Sequence, residues 1–237
     1  MFGCRGPVVL PVIHVLDTAR TLANVDVLSG EGAPGCFLIN HDFGVEDFLP
    51  IVREVRAARP ELWLGLNFLA VTGLKAFPQL AALQAEGCRA DAYWADDARI
   101  DERSSDQVEA RGILAARSGW DGLYFGGTAF KKQRPVDAAA YGRAAEIARD
   151  WMDVVCTSGP ATGIEADVGK IAAFRAAVGD NPLALASGIT PENAARHAEA
   201  DAFMVATGIN RQENFYDIDP RRLRRLLDVA DKLGDRG

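Results

Sequence analysis

Eight short apolar runs, opening near Val8, Cys36, Leu62, Asp91, Gly122, Asp153, Pro182 and Ala202, recur along the 237 residues at intervals of 28, 26, 29, 31, 31, 29 and 20. Runs rich in Val, Ile, Leu, Phe and Tyr at such spacing, with longer amphipathic segments between them, form the pattern of βα units and a parallel sheet. Residues 45–59 set Phe48, Ile51, Val52 and Val55 at helical spacing, and residues 73–86 do the same with Leu74, Phe77, Leu80 and Leu83. Residues 105–117, 136–151, 166–178 and 220–233 behave likewise, and Thr190-Pro191-Glu192 carries the hydroxyl cap and first-turn proline that start a helix. The shortest connection precedes the last strand. Asp153-Val-Val-Cys, Pro182-Leu-Ala-Leu-Ala and Ala202-Phe-Met-Val-Ala are continuous apolar runs, as expected of strands buried on both faces. An open doubly wound sheet is the rival architecture. Eight even units without a break in composition favour closure, which removes the edges an open sheet must protect. The expected fold is α/β, a (β/α)8 TIM barrel in which residues 1–237 form one domain.

With 49% hydrophobic residues the chain can bury a full core, and its formal net charge of −7 leaves no basic footprint for a phosphate backbone, so nucleic acid is not an expected partner. Arg221, Arg222, Arg224 and Arg225 read first as the solvated, dipole-compensating side of a last helix, with a docking patch as the lesser reading. Cys4, Cys36, Cys88 and Cys156 stand far apart, with no C-x-x-C pair and no His at ligand spacing. That pattern argues against a zinc site or a disulfide framework and fits a reducing, cytoplasmic setting. The longest apolar stretches, residues 8–15 and 62–71, are far short of the roughly 20 residues that cross a bilayer. No signal-peptide pattern opens the chain. The expectation is a soluble cytoplasmic protein without a membrane span, and a homo-oligomer is compatible with it.

In a closed barrel the residues leaving each strand line one mouth, so polar residues at those exits are the functional candidates. They are His14 and Asp17; Asn40, His41 and Asp42; Asn67; Asp96 and Asp97; Gly126, Gly127, Thr128 and Lys131; Thr157, Ser158, Gly159, Thr162 and Gly163; Ser187 and Gly188; and Thr207 and Gly208. The third histidine, His197, falls on a helix and reads as a surface residue. In Ser187-Gly188-Ile189-Thr190 a glycine lets backbone approach a ligand, and the helix behind it aims N–H groups at the same spot; Ala206-Thr207-Gly208 repeats the turn one strand on. Two such turns after strands seven and eight are where many barrels hold phosphate, although each glycine alone also serves as a tight βα turn. The segment from Thr157 to Gly163 adds donors for a sugar or phosphate, or is simply a loop; it is not a G-x-S-x-G elbow, and no serine hydrolase is supported. Asn67 joins these as a ligand-binding candidate.

Acid and base work would fall to His14, Asp42, Asp96 or Lys131, each with a structural alternative. A strand-end His is often held by local hydrogen bonds, and an Asp before a helix is an ordinary cap. Lys131, as an amine nucleophile or phosphate clamp, adjoins Lys132 and Arg134, which read as solvated; residues 131–135 read as an ordinary solvated loop, with a flap as the alternative.

The stretches Asp153-Val-Val-Cys-Thr-Ser-Gly-Pro-Ala-Thr-Gly, Ala184-Leu-Ala-Ser-Gly-Ile-Thr-Pro-Glu-Asn, Ala200-Asp-Ala-Phe-Met-Val-Ala-Thr-Gly and Asp219-Pro-Arg-Arg-Leu resemble the BtpA family, named for a photosystem I biogenesis factor. Gly65-Leu-Asn-Phe-Leu and His14 extend the resemblance, which is dense from about Asp153 onward. It implies a barrel similar to the ribulose-phosphate-binding group, with Ser187, Gly188, Thr207 and Gly208 at the phosphate position. Family members follow the first-strand His with Leu-Pro-Pro-Leu-Pro-Gly, whereas this chain continues Val15-Leu16-Asp17-Thr18-Ala19, so the first-loop contact and the substrate need not be shared.

Three functions fit these residues. The first is an enzyme of small phosphorylated sugars or nucleotide-like metabolites, working by isomerisation, lyase or glycosyl-transfer chemistry and needing no identified cofactor. The second is a non-catalytic assembly or stability factor, expected to carry a large exposed apolar patch away from the mouth. The third is an aldolase-like or hydrolase-like enzyme in which Asp42, Asp96 and Asp97 hold a divalent cation.

Overall fold

The computed structural model describes residues 6–212 and 214–234; Cys4 lies outside them. Eight parallel strands close into a barrel in sequence order: β1 (Val8–His14), β2 (Gly35–Ile39), β3 (Trp63–Asn67), β4 (Ala92–Ala95), β5 (Leu123–Gly127), β6 (Val154–Ser158), β7 (Leu183–Ala186) and β8 (Ala202–Val205). The ring is completed where Val8 to Pro11 of β1 register with Ala202 to Val205 of β8. Closure therefore prevails over the open sheet, and each observed strand begins within one residue of its expected start.

Seven α-helices surround the barrel: α1 (Thr18–Gly30), α2 (Val45–Ala58), α3 (Gly73–Ala85), α4 (Val108–Ala116), α5 (Tyr141–Ala148), α6 (Val168–Val178) and α7 (Pro220–Gly234). Asp17 caps α1 by accepting the Arg20 N–H at 2.8 Å, and Asp167 caps α6 by accepting that of Lys170 at 3.0 Å. Two expectations need correction. The segment at 136–151 enters α5 through a short 3₁₀ turn, Ala138–Ala140. The Thr190-Pro191-Glu192 start leads only into a 3₁₀ turn, Ala194–His197, so no α-helix follows β7. The cap itself forms, with the Glu192 N–H donating to Thr190 Oγ1 at 3.2 Å. The short connection to β8 leaves no room for more. Among the described residues no helix is long and apolar enough to cross a membrane.

Two apolar clusters divide the interior. One contains only strand residues and Phe130 and fills the barrel, with Phe37 packed edge-on against Trp63, Trp94 and Phe125 at centroid distances of 5.5, 6.0 and 5.2 Å. Gly65 on β3 makes space for this group, since a Cβ there would meet the Phe37 ring at 2.3 Å. The other cluster joins the outward faces of the strands to helix residues such as Val25, Phe48, Phe77 and Phe174.

A repeated clamp closes the N-terminal rim. Asp91, just before β4, accepts from Arg56 of α2 at 2.8 Å and from the Leu64 N–H of β3 at 2.9 Å. Asp153, before β6, accepts from Arg117 at 2.5 Å and from the Tyr124 N–H of β5 at 2.6 Å. Asp201, before β8, pairs with Arg175 of α6 and accepts the Leu183 N–H of β7 at 2.8 Å. Each clamp ties a helix to the next two strands, so the same device recurs every two βα units.

Candidate functional site

Alternation along the strands decides which side chains reach the C-terminal mouth. His14 continues the inward phase of Leu10 and Val12, Asn67 that of Trp63 and Gly65, Asp96 that of Ala92 and Trp94, and Ser158 that of Val154 and Cys156. These polar residues form the top layer of the barrel interior. Thr157 is out of phase with them. It pairs in register with Leu185 of the outer cluster and so lies on the helix-facing side.

A cavity of about 60 Å³ occupies the mouth. Of the residues singled out from the sequence, His14, Asp96, Lys131, Thr162, Gly163, Ser187 and Thr207 line it, together with His41, Trp94, Lys132 and Phe215. Asp42 sits outside, exposed, where it accepts the Tyr216 hydroxyl at 3.0 Å. Asn67 is fully buried beneath Asp96 and donates to its Oδ1 at 3.4 Å. Asp97 turns away and accepts the Arg99 N–H at 2.8 Å in a local turn rather than capping a helix, since α4 opens only at Val108. Ser158 is buried and structural in its contacts, accepting the Lys131 N–H at 2.9 Å and donating to the Gly159 carbonyl at 2.8 Å. Among the described residues no group of three or more His, Cys, Asp and Glu gathers as a metal cage, so Asp42, Asp96 and Asp97 do not converge.

Gly159, Gly188, Ile189 and Gly208 stand behind the cavity wall. A Cβ on Gly159 or Gly188 would fall 2.1 or 2.3 Å from the Ile164 carbonyl oxygen, and one on Gly208 would fall 1.8 Å from that of Ile189. The close approach these glycines permit is therefore between neighbouring loops, which pack backbone to backbone around the sixth, seventh and eighth exits. Ile189 is buried in the outer cluster. No α-helix follows Gly188, and α7 starts only twelve positions after Gly208, so neither of these two turns opens directly into an α-helix.

Among the described residues the non-glycine positions with positive φ are Ala70, Arg99, Ala129 and Ser187, at 61°, 61°, 48° and 79°. All four follow the C-terminal ends of strands, namely β3, β4, β5 and β7. Such conformations persist only where surrounding structure imposes them, and they gather at working sites. Here they gather at the mouth.

The titratable groups are tuned by burial. His14 is pushed down to about 4, first by burial and then by neighbouring His41, so its imidazole is neutral at pH 7. Burial raises Asp96 against the opposing pull of Lys132 and Lys131, and burial lowers Lys131. A neutral imidazole, a carboxyl moved toward neutrality and a softened ammonium around one cavity form an acid–base set. Two buried polar atoms on its wall, His14 Nδ1 and Trp94 Nε1, have no partner among the described residues.

Several features were not legible in the sequence. Lys132 is exposed, as its reading as solvated implied, but it also lines the mouth, which the sequence did not show. Gln133 pins the following loop by donating to the Asp96 and Gly127 carbonyls at 2.8 and 2.7 Å. His197, read as a surface residue, is buried and bonded through Nε2 to Glu165 at 2.8 Å. Phe215 lies against His14 with ring centroids 3.8 Å apart, and no local pattern marks it.

No protein-family model matches the chain, and no curated protein matches it in sequence. Solved structures do match in shape. A structure described as native KDPGal superimposes with TM-score 0.66 at 12% identity, covering 96% of each chain. N-(5'-phosphoribosyl)anthranilate isomerase from Pyrococcus furiosus gives 0.65 at 13% identity, covering 95% of this chain and 99% of that one. (S)-3-O-geranylgeranylglyceryl phosphate synthase from Thermoplasma acidophilum, solved with sn-glycerol-1-phosphate, gives 0.64 at 15%, covering 96% and 94%. At these identities the similarity is one of fold, and the fold it establishes is the TIM barrel.

Proposed function

We propose that this barrel is an enzyme acting on a small phosphorylated sugar or nucleotide-like metabolite, by isomerisation, lyase or glycosyl-transfer chemistry. The observation that carries the reading is the donor-rich cavity at the mouth. Lys131, Lys132, Thr162, Ser187 and Thr207 line it with one carboxylate, Asp96, and the buried N–H of Trp94, another lining residue, has no partner among the described residues, in a chain whose net charge is −7. A buried N–H with no acceptor calls for an oxygen from a ligand. Phosphate would sit between the Thr162, Gly163, Ser187 and Thr207 loops and the two lysines. Asp96, held by Asn67, and neutral His14 would exchange protons with the rest of the ligand. The phosphorylated ligands named for the isomerase and synthase of the same fold support this assignment by analogy. So does the resemblance to the BtpA family and to ribulose-phosphate-binding barrels.

Thermal unfolding with inorganic phosphate and a panel of phosphorylated metabolites tests the proposal. A ligand at a hundred times its Kd stabilises by about 2.7 kcal/mol, which at this length raises Tm by roughly 5–10 °C. Thr207→Val and Lys131→Met should abolish the shift. No shift across the panel would refute the phosphate site. Binding that survives beside full tolerance of Ala at His14 and Asp96 would favour a non-catalytic assembly or stability factor of the photosystem I biogenesis type.

A further inference from the structure

Described residues of the connection from β8 to α7 reach the mouth, and the backbone at 210–211 and 214–218 is pinned. Asn210 and Ile218 form an antiparallel bridge, and the Arg211 N–H donates to the Asp217 carbonyl at 2.9 Å. Asn210 Nδ2 holds the Phe215 carbonyl at 2.7 Å, while Asn214 Oδ1 accepts the Tyr216 and Asp217 N–H groups at 2.9 and 3.0 Å. Helix α1 grips the far side. Arg20 makes two bonds to Asp217 at 2.7 and 2.8 Å, and Asn24 accepts the Ile218 N–H and donates to the Tyr216 carbonyl, both at 2.9 Å.

The Phe215 side chain is held differently. It is only half-buried and belongs to neither apolar cluster. Its ring rests on two imidazoles, 3.8 Å from His14 at 35° and 5.3 Å from His41 at 69°, and the two imidazoles stand 5.7 Å apart at 76°. Phe215 and Thr207 also separate the mouth cavity from a second one of about 320 Å³, lined further by Asn210, Arg211, Asn214 and Arg222. At about 60 Å³ the closed mouth is far below the roughly 300 Å³ at which ligand pockets begin. Phe215 is thus a side chain shared by the walls of both spaces.

We propose that Phe215 occupies the seat of a planar ring, so that the ligand of this site is a phosphorylated metabolite bearing an aromatic ring, which displaces Phe215 from the face of His14 and from its edge contact with His41. The proposal rests on the phosphate-binding reading above and adds the chemical class of the rest of the ligand. A neutral, buried imidazole presents a ring face suited to stacking, and ring stacking tolerates many ring types because each has a π face. Phe215 is then a specificity-determining residue, since it competes with any ring for the same seat. A phosphosugar without an aromatic ring need not displace it.

Calorimetric titration of wild type and Phe215→Ala with adenosine 5'-monophosphate, phenyl phosphate, ribose 5-phosphate and inorganic phosphate tests the proposal. The variant should bind the two aromatic probes about tenfold more tightly than wild type, the gain expected if Phe215 fills the seat about nine-tenths of the time. Ribose 5-phosphate and inorganic phosphate should change less than about twofold. Phe215→Leu, which keeps apolar bulk, should show the same ordering with a smaller gain, and it serves if the Ala variant does not fold. Equal gains for aromatic and non-aromatic phosphates, or no gain for either, would overturn the ring seat while leaving the phosphate site standing. If none of the four probes binds any of the proteins, the phosphate reading itself fails and the ring seat falls with it.

Discussion

Replacing Asp91 by Ala removes the acceptor of one rim clamp and leaves the guanidinium of Arg56 without its counter-charge. Arg56 keeps its bonds to the Arg89, Pro60 and Leu62 carbonyls at 2.9, 2.8 and 2.7 Å, but its side chain is only 11% exposed and Asp91 22%, so water cannot easily replace the carboxylate. The Leu64 N–H of β3 loses its side-chain acceptor as well. Leaving this part-buried guanidinium and the Leu64 N–H without the carboxylate costs about 1–3 kcal/mol, which at this chain length is a fall in Tm of roughly 2–12 °C. The same change at the third clamp should matter far less. Asp201 is 55% exposed, and exposed pairs contribute about 1 kcal/mol or less. Asp153, at 35%, should fall between them. Calorimetry on Asp91→Ala, Asp153→Ala and Asp201→Ala reads the series, and Asp91→Asn, which still accepts from Leu64, should lose less than Asp91→Ala. Equal losses at the three sites, or the largest loss at Asp201, would refute the argument that burial sets the strength of these clamps.

Three further outcomes follow from the mouth. Because His14 is lowered to about 4 from an ordinary 6.5, the unfolded chain binds the proton first. Stability contributed by neutral His14 is complete above pH 6.5 and lost as pH falls toward 4, by about 3 kcal/mol. His14→Gln should flatten that part of the wild-type stability curve, and an unchanged slope would reject the burial of a neutral imidazole. Lys170, whose Nζ donates to the Ala129 and Ser158 carbonyls at 2.6 and 2.8 Å, is lowered to about 8 by burial. Wild type should therefore gain stability relative to Lys170→Met as pH rises from 8 to 10.5, and a difference independent of pH in denaturant titrations would contradict it. Gly208→Ala places a methyl 1.8 Å from the Ile189 carbonyl oxygen and must push the seventh and eighth loops apart. Phosphate binding should weaken about tenfold or more, and calorimetric titration giving wild-type affinity would show that the spacing of these loops is irrelevant to the site.

Much of the barrel was legible because its signal is local. A strand buried on both faces reads as an apolar run, and helix segments such as residues 45–59 and 73–86 show their buried stripe by spacing alone. The failures share one physical cause. Whether Thr190 to His197 becomes an α-helix depends on the space between β7 and β8, and His197 is buried because that short turn packs it onto Glu165. Gly188 and Gly208 were read as letting backbone approach a ligand, whereas the contacts the folded chain shows at 159, 188 and 208 are with the backbone of neighbouring loops, which only the packing of those loops decides.

By itself the amino-acid order determined eight strands separated by amphipathic segments, their closure, and which strand ends carry polar side chains. The tertiary structure decided which of those side chains share a cavity. Inward and outward phase separates Ser158 from Thr157 by one residue, and burial keeps the His14 imidazole neutral and raises the Asp96 carboxyl. It also seated Phe215 on His14, a contact between residues 201 positions apart that no local pattern encodes, because it exists only once the ring of strands has closed and α1 holds the last loop over the mouth.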